Sequence, residues 1–194
     1  MKHPFERTDV ALPMDPAIAA AVADADLGLA RGAVELAAPS PRWSPAYAAL
    51  VAAFAPTRPH GVVAIEHVGS TSVPGLTAKA ILDIAVGISE KEAPDVHDWL
   101  VESGFLYRGA SDDVRPDRMY GLEREIGVRL VNAHVVVHDG LDWCRYLAFR
   151  DRLRANDRDR DAYAALKRRL AAEHLGDRLA YIRGKSGFIV GRRG

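Results

Sequence analysis

"HVGSTSVPGLTAKAILDIAV", residues 67–86, runs from the end of one apolar stretch through a loop of small polar residues into a second apolar stretch that carries a single carboxylate, Asp83. Upstream, "VVAIEHV" has the β-branched, aliphatic character of a strand, and "AILDIAVGI" downstream has it again. Small residues directly after a strand let backbone N–H groups approach an anion. The loop at Gly69, Ser70, Thr71 and Ser72 is therefore a candidate phosphate site, while Gly75 after Pro74 serves a tight turn. The spacing excludes two common signatures. A P-loop needs Gly-Lys-Ser/Thr four residues after its first glycine, and Leu76 follows Gly75 here; "GSTSVPG" also lacks the three glycines of a dinucleotide fingerprint.

Asp83 lies between Leu82 and Ile84, and a buried carboxylate without a partner costs several kcal/mol. Its partner is either Lys79, four residues upstream, or a metal ion, in which case Lys79 is left to meet a phosphate as a point charge.

Around this centre the chain alternates strands and helices. "DPAIAAAVADADLGLARG" reads as a helix with Asp15 as N-cap and Pro16 at its first position. "AVELAA" reads as a short strand, and "SPAYAALVAAF" as a helix capped by Ser44 with Pro45 at N1. "APDVHDWLVESG" reads as a helix, and "FLYRG", "RMYGLER" and "VRLVNAHVVV" as strands. From Leu141 onward three amphipathic helical patterns follow. The reading is an α+β (α/β) chain: an N-terminal helical extension over residues 1–32, a mixed β-sheet with flanking helices over 33–140, and a C-terminal helical cap over 141–194 packed on it.

The 194 residues carry no net charge, yet residues 1–140 hold 12 basic and 19 acidic side chains and residues 141–194 hold 14 and 7. The cap is thus a basic wall, facing either the acidic sheet region or a phosphorylated ligand. "RDRLRANDRDRD" alternates sign too regularly for a nucleic-acid groove, so no nucleic acid is expected. No apolar run reaches the ~18 residues of a membrane span. The N-terminus lacks the features of a secretory signal, which points to the cytoplasm. The one cysteine, Cys144, sits in "GLDWCRYL" without metal-ligand spacing and reads as a small apolar helix residue.

A Gly-Ser after a strand, followed about a dozen residues later by an acid within a strand, resembles the outline of the nucleotidyltransferase superfamily. More narrowly, "IEHVGSTSVPGLTAKAILDIAV", "LAFRDRLRANDRDRDAYAALKRRLA" and "YIRGKSGFI" together resemble the GrpB family of bacterial proteins, over roughly residues 33–190. The resemblance implies a nucleotidyltransferase-like sheet, with Gly69, Ser70 and Thr71 at phosphate and Asp83 at Mg²⁺. Some members of that family are fused to dephospho-CoA kinase, which suggests nucleotide metabolism. Lys79, Arg150, Arg154, Lys167 and Lys185 fall in the similar segments as phosphate or substrate ligands. Arg150 and Arg154 stand one helical turn apart and share a face, so they form a candidate clamp. Tyr163 and Tyr181 read as packing residues between helices.

The chain departs from an active nucleotidyltransferase at Ala85, where a second carboxylate would share the face of Asp83. A single Mg²⁺ is then the most that Asp83 supports, completed by phosphate and water. The neighbouring strand offers Asn132, His134 and His138 on one face and no acid; His134 is the candidate base or ligand. Of Glu66 and His67, which alternate, His67 is the expected site-facing residue.

The expected function is binding of a nucleoside triphosphate with Mg²⁺ and transfer of a nucleotidyl or phosphoryl group to a small acceptor. Two alternatives stand beside it. One is a non-catalytic module for a nucleotide or other anionic metabolite. The other is a nucleotide-independent transferase or ligase with His134 as base and the arginines on a carboxylate.

Overall fold

The computed structural model describes residues 13–89, 94–110 and 118–192. The N-terminal stretch 1–12, on which the reading of a missing secretory signal partly rests, lies outside them. In chain order the described elements are α1 (Pro16–Val22), β1 (Leu29–Ala30), α2 (Trp43–Phe54), β2 (Val62–Val68), a 3-10 turn (Ser70–Ser72), β3 (Leu82–Ile88), α3 (Pro94–Glu102), β4 (Leu106–Ala110), β5 (Arg118–Glu125), β6 (Val128–Val137), α4 (Leu141–Ala155), α5 (Asp157–Glu173) and α6 (Arg178–Val190).

Among the described residues the strands form one six-stranded mixed sheet in the order β2-β3-β6-β5-β4, with β1 beside the start of β6. β3 and β6 are parallel; the other pairs are antiparallel. The parallel register sets Asp83 beside Asn132 and Ala85 beside His134. Because successive side chains alternate, one face of β3 presents Asp83, Ala85 and Gly87, and the other presents Leu82, Ile84, Val86 and Ile88.

The aliphatic face is the core. Leu82, Ile84, Val86, Val131, Ala133 and Val135 pack there against Leu50 and Phe54 of α2 and Val96, Trp99 and Leu100 of α3. α1 belongs to this layer: Ile18 and Val22 join the same cluster. Its N-terminus is capped as the sequence predicts, with Asp15 Oδ1 accepting from the N–H groups of Ala17 and Ile18 at 2.8 and 3.2 Å.

On the opposite face α4 packs on β2, β3 and β6, and α5 and α6 pack beside it against the loop after β2. Gly87 has no side chain because the Trp143 ring of α4 lies on it; a Cβ there would sit 2.7 Å from a ring carbon. Trp143 also joins Val68, Ala85 and Val136 in a small buried cluster. A second cluster ties the loop after β2 to the helices through Val73, Leu76, Leu153, Tyr163 and Ala164.

Four local expectations shift. The helix read over residues 15–32 spans only Pro16–Val22, and Leu29–Ala30 pairs with β6 as β1. "AVELAA" makes only an isolated bridge, Ala37 to Ala78, so it fastens one loop to another instead of forming a ladder. Helix α2 begins at Trp43, before the expected Ser44 cap; Ser40 Oγ accepts from the Arg42 N–H at 3.1 Å, and Pro45 falls in the first turn, where a missing N–H leaves no bond unmade. Cys144 is exposed on α4, not packed as an apolar residue.

Candidate functional site

The site forms where β2 ends. Gly69 adopts φ 68° and ψ −168°, a region open essentially to glycine alone. A Cβ on Gly69 would strike the Asp83 carboxylate, so the loop and the strand carboxylate approach as closely as the chain allows. Ser70–Ser72 then close a single 3-10 turn, held by Ser72 Oγ donating to the Gly69 carbonyl at 2.7 Å.

Asp83 is half-buried and held from β6. Asn132 Nδ2 donates to Asp83 Oδ1 at 2.8 Å, and His134 Nε2 lies 3.5 Å from the same oxygen. Asn132 is oriented in turn: its Oδ1 accepts from Arg129 Nη1 at 2.7 Å, and Arg129 Nη2 donates to the buried Glu123 at 3.0 Å. His134 is 8% exposed, with Nδ1 3.3 Å from the Tyr146 hydroxyl of α4. Burial by itself raises the Asp83 pKa, but the hydrogen bonds from His134 and Asn132 and the charge on Lys185 outweigh it, and the carboxyl stays below its ordinary range.

In front of Asp83 opens a cleft of about 60 Å³, lined by Ser70, Thr71, Lys79, Ile81, Asp83, Lys167, Tyr181 and Lys185. Two of the lysines converge on one ring. Lys79 Nζ stands 4.8 Å and Lys185 Nζ 4.5 Å from the Tyr181 centroid, and Lys79 also donates to the Ala33 carbonyl at 3.2 Å. The third, Lys167, reaches in from α5, only 1% exposed. Its ammonium bonds Ser70 Oγ at 3.1 Å and the Thr77 carbonyl, over the face of Tyr163. Burial, aided by Lys185 and Arg168 and opposed by Asp83, lowers its pKa to about 7. A typical ligand pocket has roughly 300–1,000 Å³, so this cleft admits a phosphate-sized group and leaves the rest of a ligand outside.

The candidate residues thus divide. Ser70, Thr71, Lys79, Asp83, Lys167 and Lys185 share the cleft, with Gly69 behind it. His134 supports Asp83 from β6. Arg150 and Arg154 brace the loop instead of lining the cleft. Arg150 Nη1 donates to Glu66 at 2.6 Å and to the His67 carbonyl at 3.1 Å; Arg154 donates through Nε and Nη2 to the Ser72 carbonyl at 3.0 and 2.8 Å.

The expected side for His67 is corrected by the pleat: Glu66 shares the face of Asp83, while His67 turns toward α2, bonds Thr71 Oγ1 at 3.0 Å and stacks on Tyr47 at 4.8 Å. His138 lies just past the end of β6, against Trp143 at 4.8 Å. Tyr163 does pack between helices, against Phe149 and Phe188. Tyr181 does more, since it forms a wall of the cleft; its signal was the helical spacing to Lys185, which puts both on one face.

Asp83 is the one carboxylate lining the cleft; its Oδ1 accepts from Asn132 and three lysines share the cleft with it, so a Mg²⁺ held here would take its other ligands from phosphate and water. Ala85, where the second carboxylate would stand, is fully buried under Trp143.

The GrpB protein family profile matches residues 33–192. The chain belongs to the GrpB family. Among its relatives, a UPF0157 protein of Halalkalibacterium halodurans is 39% identical over 128 residues, covering 64% of this chain and 63% of the relative. One from Pseudomonas aeruginosa is 36% identical over 164 residues, covering 81% and 65%. In both cases the match spans a little under two thirds of the relative's length. A dephospho-CoA kinase of Mycolicibacterium paratuberculosis is 28% identical over 178 residues, 79% of this chain and 44% of that protein. The crystal structure of conserved protein GrpB from Enterococcus faecalis superimposes with a TM-score of 0.70 at 29% identity, covering 82% of this chain and 94% of that one. The GrpB sheet is therefore a shared fold, and no described helix is long and apolar enough to cross a membrane.

Proposed function

We propose that this GrpB protein binds the phosphates of a nucleotide in the lysine cleft and transfers a phosphoryl or nucleotidyl group to a small acceptor. The observation that carries the proposal is the convergence of Ser70, Lys79, Lys167 and Lys185 on one small cleft beside Asp83. Ammonium groups at a developing phosphate charge, in a site with little water, stabilise it far more than they do in bulk solvent. Lys79 and Lys185 receive the phosphate charge, and Asp83 orients the acceptor hydroxyl. The similarity to a dephospho-CoA kinase agrees with a nucleotide ligand. Mg²⁺ enters this proposal only as the counter-ion that a triphosphate brings with it.

The second reading, a binding module without chemistry, is favoured by Ala85 buried where a second carboxylate would stand. Calorimetric titration with ATP, GTP, CTP, UTP and inorganic phosphate, with and without Mg²⁺, tests both. Binding that Lys185→Gln weakens about tenfold is expected, the size of one charge-assisted contact. No heat with any of these at millimolar concentration would end the phosphate reading. Binding without turnover across a panel of hydroxyl acceptors would leave the module.

A further inference from the structure

Lys167 is built differently from the two lysines that share Tyr181. It is buried, and a hydroxyl is within hydrogen-bond distance of its nitrogen: Ser70 Oγ at 3.1 Å. Ser70 lies on the cleft wall at the point where the loop leaves Gly69, and its carbonyl is already used by the turn, accepting from the Val73 N–H at 3.3 Å. A serine hydroxyl is a weak nucleophile until a base adjoins it, and a desolvated lysine beside other cations is such a base. An anchor for phosphate needs neither feature, since an ammonium that only binds charge does so best when it stays protonated.

We propose that Ser70 and Lys167 form a nucleophile–base pair, through which the cleft takes the phosphoryl group of a phosphoanhydride onto Ser70. The proposal rests on the reading that the cleft holds phosphate. In the first step the neutral Lys167 amine accepts the Ser70 hydroxyl proton and becomes an ammonium. The Oγ–P bond forms, and the P–O bond to the leaving phosphate breaks with its electron pair on that oxygen, facing Lys79 and Lys185. In the second step an acceptor hydroxyl bonds to phosphorus and releases its proton to solvent. The Ser70 oxygen leaves with the proton from Lys167, which restores both residues. The Thr77 carbonyl accepts a hydrogen bond from Lys167 in either protonation state and keeps its nitrogen aimed.

The charged and titratable groups facing Lys167 are Asp83 of β3, Lys79 of the loop, Lys185 and Tyr181 of α6, and Tyr163 and Arg168 on α5 itself. Their net effect with burial moves the amine toward its neutral form, and burial keeps Tyr181 neutral by pushing its phenol up to about 12. Near neutral pH the amine is therefore divided between its two forms.

A biotin-linked fluorophosphonate is the probe, its P–F bond standing in for the phosphoanhydride. Intact protein is incubated with it, and the adduct is located by peptide mass spectrometry. The wild type is expected to carry one adduct, on Ser70, and Ser70→Ala none. Lys167→Arg keeps a cation but cannot accept a proton, and slows labelling about 100-fold or more, the range of a lost general base. Thermal unfolding of this variant checks that it folds. The labelling rate of the wild type is a second readout that needs no variant, and it is expected to level off above about pH 7, where the amine is mostly neutral. Absence of an adduct on Ser70, equal rates in folded Lys167→Arg, or a wild-type rate that climbs through that range without an inflection each overturns the pair. Because ATP and phosphate binding are measured separately, a failure here with those intact leaves the binding proposal standing.

Discussion

A one-residue change of face decides what His67 does. Glu66 points to the cleft side and pairs with Arg150, whereas His67 is 4% exposed on the core side between Tyr47 and Thr71. Burial dominates its titration, against the attraction of Asp83 and with the repulsion of Arg154 and Arg150, and lowers its pKa from 6.5 to about 4. The folded state therefore resists a proton that the unfolded chain accepts. Stability is unaffected by this group above about pH 6.5, falls as pH drops from there to about 4, and changes no further below. The full loss is about 3 kcal/mol, from 1.36 kcal/mol per pKa unit. His97 shifts in the same direction by burial, but it is less enclosed. Asp83 and Glu123, both held below their ordinary values, lose their contributions only in more acidic solution. Denaturant unfolding measured at intervals across this window should show the slope, and His67→Phe, which keeps the stacked ring, should flatten most of it. An unchanged slope in that variant would remove His67 as the cause.

At the scale of elements, α4 acts on the cleft through the loop backbone. Arg154 donates two hydrogen bonds to the Ser72 carbonyl and thereby fixes the turn that carries Ser70. Hydrogen bonds to a charged donor are worth roughly 1.5–3 kcal/mol, and since this side chain is 41% exposed, solvent screening brings the value below that range, to about 1 kcal/mol. Arg154→Ala should therefore weaken phosphate binding several-fold with the same dependence on salt as the wild type. A direct phosphate ligand would behave otherwise: its loss would flatten the salt dependence, because one ion contact would be gone. Calorimetry at two ionic strengths separates the outcomes. The sequence made the elements legible because their signals are local: the apolar run of β3, the Asp15-Pro16 helix start and the alternation of β6 each span a few residues. The partners of each charged side chain were not legible. The Arg150–Glu66 pair joins residues 84 apart in the chain, and the Arg154–Ser72 bond joins residues 82 apart. A shared helix face shows that two arginines can act together, not what they hold.

The whole molecule is a sheet with two unlike sides, and the cleft is assembled from both the sheet and its basic cap. The large core cluster draws its buried residues from Ile18 through Val135, while α4, α5 and α6 attach through three smaller clusters. Cooperative units of different stability are the usual consequence of such a division. Tyr181 is the joint to examine. It is 1% exposed, it packs with Val34 and Leu170, and its ring lies under Lys79 and Lys185. Replacing a buried aromatic by alanine costs roughly 3–5 kcal/mol, and here the cost falls on a small cluster at the edge of the molecule. Tyr181→Ala should loosen α6 while Phe188 and Ile189 still hold its far end against Tyr163 and Leu153. Hydrogen exchange of the Arg178–Val190 amides should then speed up about 100-fold or more, with tenfold for each 1.4 kcal/mol, whereas Leu82–Ile88 and Val128–Val137 keep their protection. Phosphate affinity should fall in the same variant, because Lys79 and Lys185 lose the ring that gathers them. If the two central strands lose protection in parallel with α6, sheet and cap unfold as one unit, and the core is not divided into units of different stability.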